Sequence, residues 1–174
     1  MRTLPFLSSH SLCSDVKSEN LYNVYNYDVL IGDITEKTLF TSLSDRFGVP
    51  YLSHADPTVE PEWPVKGIIF GPNKRVFVNL VLATEARRLN VFFLVNSTCP
   101  TTFVSPTVLA ELIPGDDPSC GIEANIHGVL EDVDMSPASS HFADLNMLGN
   151  DFFMECEGKL LVDYPSQTCT LFRG

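Results

Sequence analysis

Phe92-Phe93-Leu94-Val95-Asn96-Ser97-Thr98-Cys99-Pro100-Thr101-Thr102-Phe103-Val104-Ser105-Pro106-Thr107-Val108-Leu109 is the stretch on which the reading of this chain turns. It begins inside Asn90–Val95, an apolar run of strand length. It passes through a polar turn at Asn96, Ser97 and Thr98, and it enters Thr107–Ile113, a short helix that Pro114 and Gly115 end. Upstream, Val76–Leu82 reads as a strand and Ala83–Leu89 as a hairpin connection. Downstream, Ile122–Gly128, Val129–Met135, Lys159–Asp163 and Thr168–Phe172 all have strand texture, and Met147-Leu148-Gly149 opens a further unit. Many short strands, one or two short helices and no long helix predict a mainly β domain.

Toward the N-terminus the texture changes. Leu21–Tyr27 is the strand-like part of a polar beginning, and Tyr27–Ile31 reads as a short strand. Leu39, Phe40, Leu43 and Phe47 then fall at helical spacing ahead of Gly48 and Pro50. Asp33 or Thr35 can cap that helix, although Thr35 and Thr38 do not spell the usual capping box. Its apolar stripe is expected to pack on the β domain or on a partner. Pro57, Pro61 and Pro64 exclude regular structure over 54–66. This segment reads as a linker, with the single tryptophan, Trp63, docked on the β domain. The division expected is an N-terminal extension, 1–65, with a short amphipathic helix and a proline-rich linker, then a β domain, 66–174.

Composition narrows the function classes. The formal charge of −11 repels phosphate backbones and anionic lipid, so neither nucleic acid nor membrane is an expected partner. No apolar run approaches the roughly 20 residues that span a bilayer. The apolar start is broken by Pro5 and lacks the core of a secretory leader, which reads as an intracellular, cytoplasmic protein. The five cysteines are odd in number and widely spaced, without a CxxC pair, so free thiols are expected and neither a metal nor a cofactor is.

Two phrases together carry a family resemblance. Phe92–Leu109 resembles the apolar strand and turn that hold the catalytic Asp-Thr-Gly of retroviral and retrotransposon aspartic proteases. Leu145-Asn146-Met147-Leu148-Gly149-Asn150-Asp151-Phe152-Phe153 resembles their second phrase, two hydrophobic residues and a glycine followed by Asp-Phe. Their order, and the closing strands Leu161–Asp163 and Thr168–Phe172, extend the similarity over about residues 67–174. The resemblance implies a retropepsin-like closed β-barrel, the acid protease fold. It implies structural roles for Met147, Leu148, Gly149 and Asp151. It also implies a homodimer built from chain termini, with Thr168, Cys169, Thr170, Leu171 and Phe172 as the interface strand.

The chain departs from that pattern where the chemistry lies. Asn96, Ser97 and Thr98 stand where the family has Asp-Thr-Gly. The reaction needs two carboxylates sharing a proton, and an amide has no such equilibrium near neutral pH. Thr98 is expected to crowd a position that the family keeps as glycine. The loop 114–121 leaves little chain for a substrate-covering flap if 122–135 are body strands. The expectation is therefore a retroelement-derived pseudoenzyme with no catalytic residue, serving as a homodimerisation and protein- or peptide-interaction module. The alternative is an active aspartic endopeptidase inactivated by an Asp-to-Asn change at residue 96. Asn96-Ser97-Thr98 also fits the N-glycosylation pattern, Cys99 is a candidate nucleophile, and Asp151 and Asp163 are candidate replacement carboxylates.

Overall fold

The computed structural model describes residues 31–115 and 121–174. Nine strands form one sheet: β1 (Val65–Phe70), β2 (Arg75–Ala83), β3 (Arg88–Val95), β4 (Phe103–Val104), β5 (Ile122–Ile126), β6 (Val129–Met135), β7 (Asn146–Leu148), β8 (Lys159–Asp163) and β9 (Thr168–Phe172). The sheet runs β3-β7-β4-β6-β5-β2 and closes by pairing β2 with β3, giving a six-stranded barrel. From β2 it continues outward through β1 and β9 to β8. Closure removes the edges of the six barrel strands; among the described residues nothing pairs with the outer edge of β8.

The strand pattern follows from side-chain alternation. In β2, Val78, Leu80 and Leu82 are fully buried while Asn79 and Val81 lie half-buried on the opposite face. β2 and β3 pair antiparallel from Phe77 opposite Leu94 to Ala83 opposite Arg88. Hairpin β5–β6 turns through His127 and Gly128, both at positive φ (52° and 88°), the geometry that matches the right-handed twist of its strands. Residues 122–135 are thus barrel wall: β5 pairs with β2 and β6, and β6 with β4. Among the described residues no further hairpin lies between the helix after β4 and β7.

Helical turns punctuate this sheet. Glu36–Thr38 (α1) and Ser44–Phe47 (α2) flank a π-helical turn, Leu39–Leu43. Thr35 and Thr38 do cap each other reciprocally, because the threonine hydroxyl fills the place of the usual glutamate: Thr38 N donates to Thr35 Oγ1 (3.4 Å) and Thr35 N to Thr38 Oγ1 (3.2 Å). Gly48 at φ 68° ends the unit. Leu39 and Leu43 are completely buried, and Phe47 and Tyr51 stack on Phe92 of β3. Pro106–Leu112 (α3) starts from a Ser105 cap and buries Val108, Leu109 and Leu112. Asn150–Glu155 (α4), which periodicity did not reveal, follows β7.

Ile31, Ile34, Leu39, Leu43 and Tyr51 belong to the same hydrophobic cluster as the barrel side chains. Asp33 adds an ion pair to Arg75 at the start of β2 (3.1 Å). The boundary read at 65/66 therefore separates a covering layer from the sheet, not one core from another. Leu21–Tyr27 lies outside the described residues. The resemblance implied Thr168–Phe172 as an interface strand. In the fold β9 lies between β1 and β8, hydrogen-bonded on both sides, with Cys169 and Leu171 in the core.

Candidate functional site

The two phrases singled out in the sequence meet at one junction. β3 and β7 run parallel, Phe93 beside Asn146, Leu94 beside Met147 and Val95 beside Leu148. The Asn96 N–H donates to Leu148 O (3.1 Å), so the polar turn leaves β3 against the end of β7. The start of α4 binds it from the other side. Asn150 N donates to Cys99 O (2.9 Å), Asp151 N to Pro100 O (3.1 Å) and Asn150 Nδ2 to Ser97 O (2.9 Å). Gly149 is required here: a Cβ on it would sit 2.4 Å from the Thr101 carbonyl carbon and oxygen.

Asp151 is a structural carboxylate. It accepts from Thr102 N (2.7 Å), Thr102 Oγ1 (2.6 Å) and Phe152 N (2.7 Å). Thr102 Oγ1 in turn accepts from Gly149 N (3.0 Å). One buried threonine thereby locks β4, β7 and α4 together. Behind it, Asn146 is buried and fully used. Its Oδ1 accepts from Ser105 N (2.9 Å), and its Nδ2 donates to Tyr51 Oη (2.7 Å) and Phe92 O (3.1 Å). Burial pushes the Tyr51 hydroxyl up to about 12, which keeps it a neutral partner.

The turn has little acid–base capacity. Asn96 is half-buried, and its Oδ1 accepts from Thr98 N (3.1 Å) and Thr98 Oγ1 (2.7 Å), an Asx turn closed on itself. Ser97 and Thr98 are exposed. Thr98 has no left-handed φ and its side chain meets solvent, so the crowding expected from a branched residue does not arise within this chain. Cys99 is buried; burial first, then the Asp151 charge, push its thiol up, and Sγ–H donates to Thr101 O (3.1 Å). A protonated, buried thiol is a poor nucleophile. Asp163, at the end of β8, accepts from Ser166 N (3.4 Å) in an exposed turn. Among the described residues no group of His, Cys, Asp and Glu is placed to hold a metal ion, and no helix is long and apolar enough to cross a membrane.

The opposite end of β3 carries a feature that motif reading missed. Residues 52–55 run along Arg88–Asn90: Leu52 N donates to Asn90 O (2.9 Å), Asn90 N to Ser53 O (2.9 Å) and Ala55 N to Arg88 O (3.0 Å). The proline-rich segment then crosses the outer face of β2 and β3 and is pinned by His127. That imidazole is buried. Its Nδ1 accepts from Val81 N (3.2 Å), so Nε2 carries the proton and donates to Glu62 O (3.1 Å). Burial holds its pKa below the ordinary histidine value. Trp63 packs edge-on against the ring (5.2 Å) and its Nε1 donates to His127 O (3.2 Å). Between segment and sheet lies a cavity of about 350 Å³. The sequence signal for it was the Trp63 placement among prolines; the strand asparagines Asn79 and Asn90 gave none.

No known protein family matches this chain, and no curated protein or solved structure shows significant similarity to it.

Proposed function

We propose that this protein is a catalytically silent retropepsin-like domain that works as a homodimerisation and protein-interaction module. The observation that carries the reading is the parallel β3–β7 junction, where Asn96-Ser97-Thr98 leaves one strand beside Leu148 and Gly149 of the other. It brings the two phrases that carry the resemblance to one place in the fold. Silence follows from the side chains present. An amide closed on its own turn cannot activate water, and the nearby carboxylate, Asp151, is occupied by three donors.

The dimer surface moves from β9 to β8, whose outer edge no described residue pairs. Leu161 on β8 is 61% exposed, and Tyr164 in the following turn is exposed to the same extent. β8 reads Lys159-Leu160-Leu161-Val162-Asp163. Paired antiparallel with a second copy about a two-fold axis through Leu161, it places Lys159 opposite the partner's Asp163 and Leu161 opposite the partner's Leu161. Both pairings are favourable, and an isologous contact of this kind closes on itself.

Sedimentation equilibrium at micromolar concentration tests the reading. A dimer of the 19.3 kDa chain is expected, with Leu161→Glu shifting it to monomer. Lys159→Glu should weaken association and Lys159→Glu with Asp163→Lys should restore it. A chain that stays monomeric at about 19 kDa throughout, or a double swap no better than the single one, refutes the module or its register respectively.

A further inference from the structure

The proline-rich segment is tied to the barrel at its C-terminal end through one residue. Pairing of β2 with β1 stops at Val78 and pairing with β5 begins at Leu82, so Val81 faces a gap in the ladder. On the other side Val81 lies opposite Asn90, whose main-chain groups turn to Leu52 and Ser53 instead. His127 fills the gap: its N–H donates to Val81 O (2.7 Å), and Val81 N donates to His127 Nδ1 (3.2 Å). The same residue holds the segment. Nε2 donates to Glu62 O (3.1 Å), His127 O accepts from Trp63 Nε1 (3.2 Å), and the two rings meet edge-on (5.2 Å). The earlier part of the segment hangs on Arg88, through Pro57 O (3.1 Å) and Val59 O (3.0 Å). Between segment and sheet lies the cavity of about 350 Å³.

This arrangement accepts only a neutral imidazole. Nε2 already carries a proton, so a second one must go to Nδ1. There it would set N–H against the Val81 N–H and leave Val81 N without an acceptor. The charged ring would strengthen its bond to Glu62 O. The ring therefore parts from β2 rather than from the segment, and Glu62 and Trp63 move with it. The surrounding charges act in the same direction. His54, Asp56, Glu60 and Glu62 line the cavity from the segment and Arg88 from β3, while β2 supplies only Asn79 and Val81. Arg173, after β9, donates to Gly128 O beside the ring (3.4 Å). The carboxylates belong to the segment and both arginines to the sheet, so a protonated ring is drawn outward. Burial holds the closed ring below the ordinary histidine value, with the Glu62 carbonyl raising it and Arg88 lowering it.

We propose that residues 55–64 form a strap that His127 latches to the barrel when neutral and releases when protonated, opening the outer face of β2–β3 from the Trp63 end. The device is independent of the dimer reading, since it lies on β2–β3 and not on β8. The closed form is favoured above the ordinary histidine value and is lost as pH falls through and below it. Trp63, the only tryptophan, supplies the readout. Quenching of its fluorescence by acrylamide is followed in the full chain from about pH 8 to about pH 5, with far-ultraviolet circular dichroism on the same samples. The quenching constant should rise about twofold or more in one reversible, single-proton step below about pH 6.5, while the β signal holds. His127→Gln, whose amide can accept from Val81 N and donate to Glu62 O, should quench like the closed protein throughout. Arg88→Gln removes the bonds to Pro57 O and Val59 O and the nearby positive charge, so its step should lie at higher pH; this variant decides the matter if His127→Gln does not fold. Flat quenching down to about pH 5, a step retained in His127→Gln, a step unmoved in Arg88→Gln, or loss of the β signal in the same step overturns the proposal.

Discussion

The two ends of β3 are opposite in kind. At the Val95 end, a turn that reads like an active site has its polar groups closed on one another and on α4. At the Arg88 end, a segment that reads like a linker is held down on the strand by the Arg88 guanidinium and the Asn90 amide, and it covers a cavity of about 350 Å³. The contacts that hold the segment are tertiary, and no local pattern records them.

The sharpest way to break the comparison is at Asn146, which ties the Val95 end to the covering layer. Asn146→Leu strips partners from Ser105 N, Tyr51 Oη and Phe92 O, all buried. Ser105 N is left unpaired, while Tyr51 Oη also meets Ser105 and Phe92 O stays in the β3–β7 ladder; at about 1–3 kcal/mol for an orphaned buried group, a loss toward roughly 3 kcal/mol is expected in urea unfolding. A loss under about 1 kcal/mol would show that the layer is held without it. Next is Trp63→Ala, which removes the ring from His127 and the bond to its carbonyl. About 2 kcal/mol is expected, with protease cleavage gained within 54–64 before any cut in the barrel. Simultaneous cleavage at both places would mean that segment and barrel open together.

Two smaller effects arise from protonation. His127 has a lowered pKa in the fold because burial opposes its charge and its Nδ1 must accept a bond. The unfolded chain therefore binds the proton first. The stability that this contributes is complete above the unfolded histidine value and is lost as pH falls through and below it. Hydrogen-exchange protection in 54–64, corrected for the intrinsic pH dependence of exchange, should fall as pH drops from about 7.5 to about 5.5, and less so in His127→Gln. Glu131 behaves in the opposite sense. Burial first, then the charges of Asp151, Glu155 and Asp132, push it up to about 7. Its contribution is present at low pH and is lost as pH climbs from the unfolded glutamate value toward that figure. Glu131→Gln should accordingly raise the melting temperature at pH 8 and leave it almost unchanged at pH 4. An equal shift at both would show that its charge is irrelevant. Smallest of all is Thr98→Ala at the exposed turn, expected to cost under about 1 kcal/mol because its groups return to water.

Alternation and turn chemistry made the barrel largely legible. Lys159–Asp163 and Thr168–Phe172 appear with the limits read from their residues, because their apolar runs are bounded by turn formers. β4 was missed because two residues carry no period, and α4 because Phe152 and Phe153 lie inside a phrase read for its glycine. The order of β1, β9 and β8 is a non-local pairing, so the true edge strand could not be seen. The meeting of Asn96 with Leu148 was not legible, because the two lie on strands brought together only by the fold. The cavity was invisible because Asn90 and Arg88 become partners of Ser53, Pro57 and Val59 only through folding.

The most direct test of the silent-turn account is a digestion assay on the native chain and on Asn96→Asp, with a mixed peptide library from about pH 4 to 7, where a carboxylate pair can share a proton. The account predicts no cleavage by either protein: a carboxylate at 96 would still accept the Thr98 donors, and residues 122–135 are committed to the barrel wall. Cleavage by Asn96→Asp that a statine-type transition-state mimic blocks would contradict it and identify the chain as a working protease one substitution away.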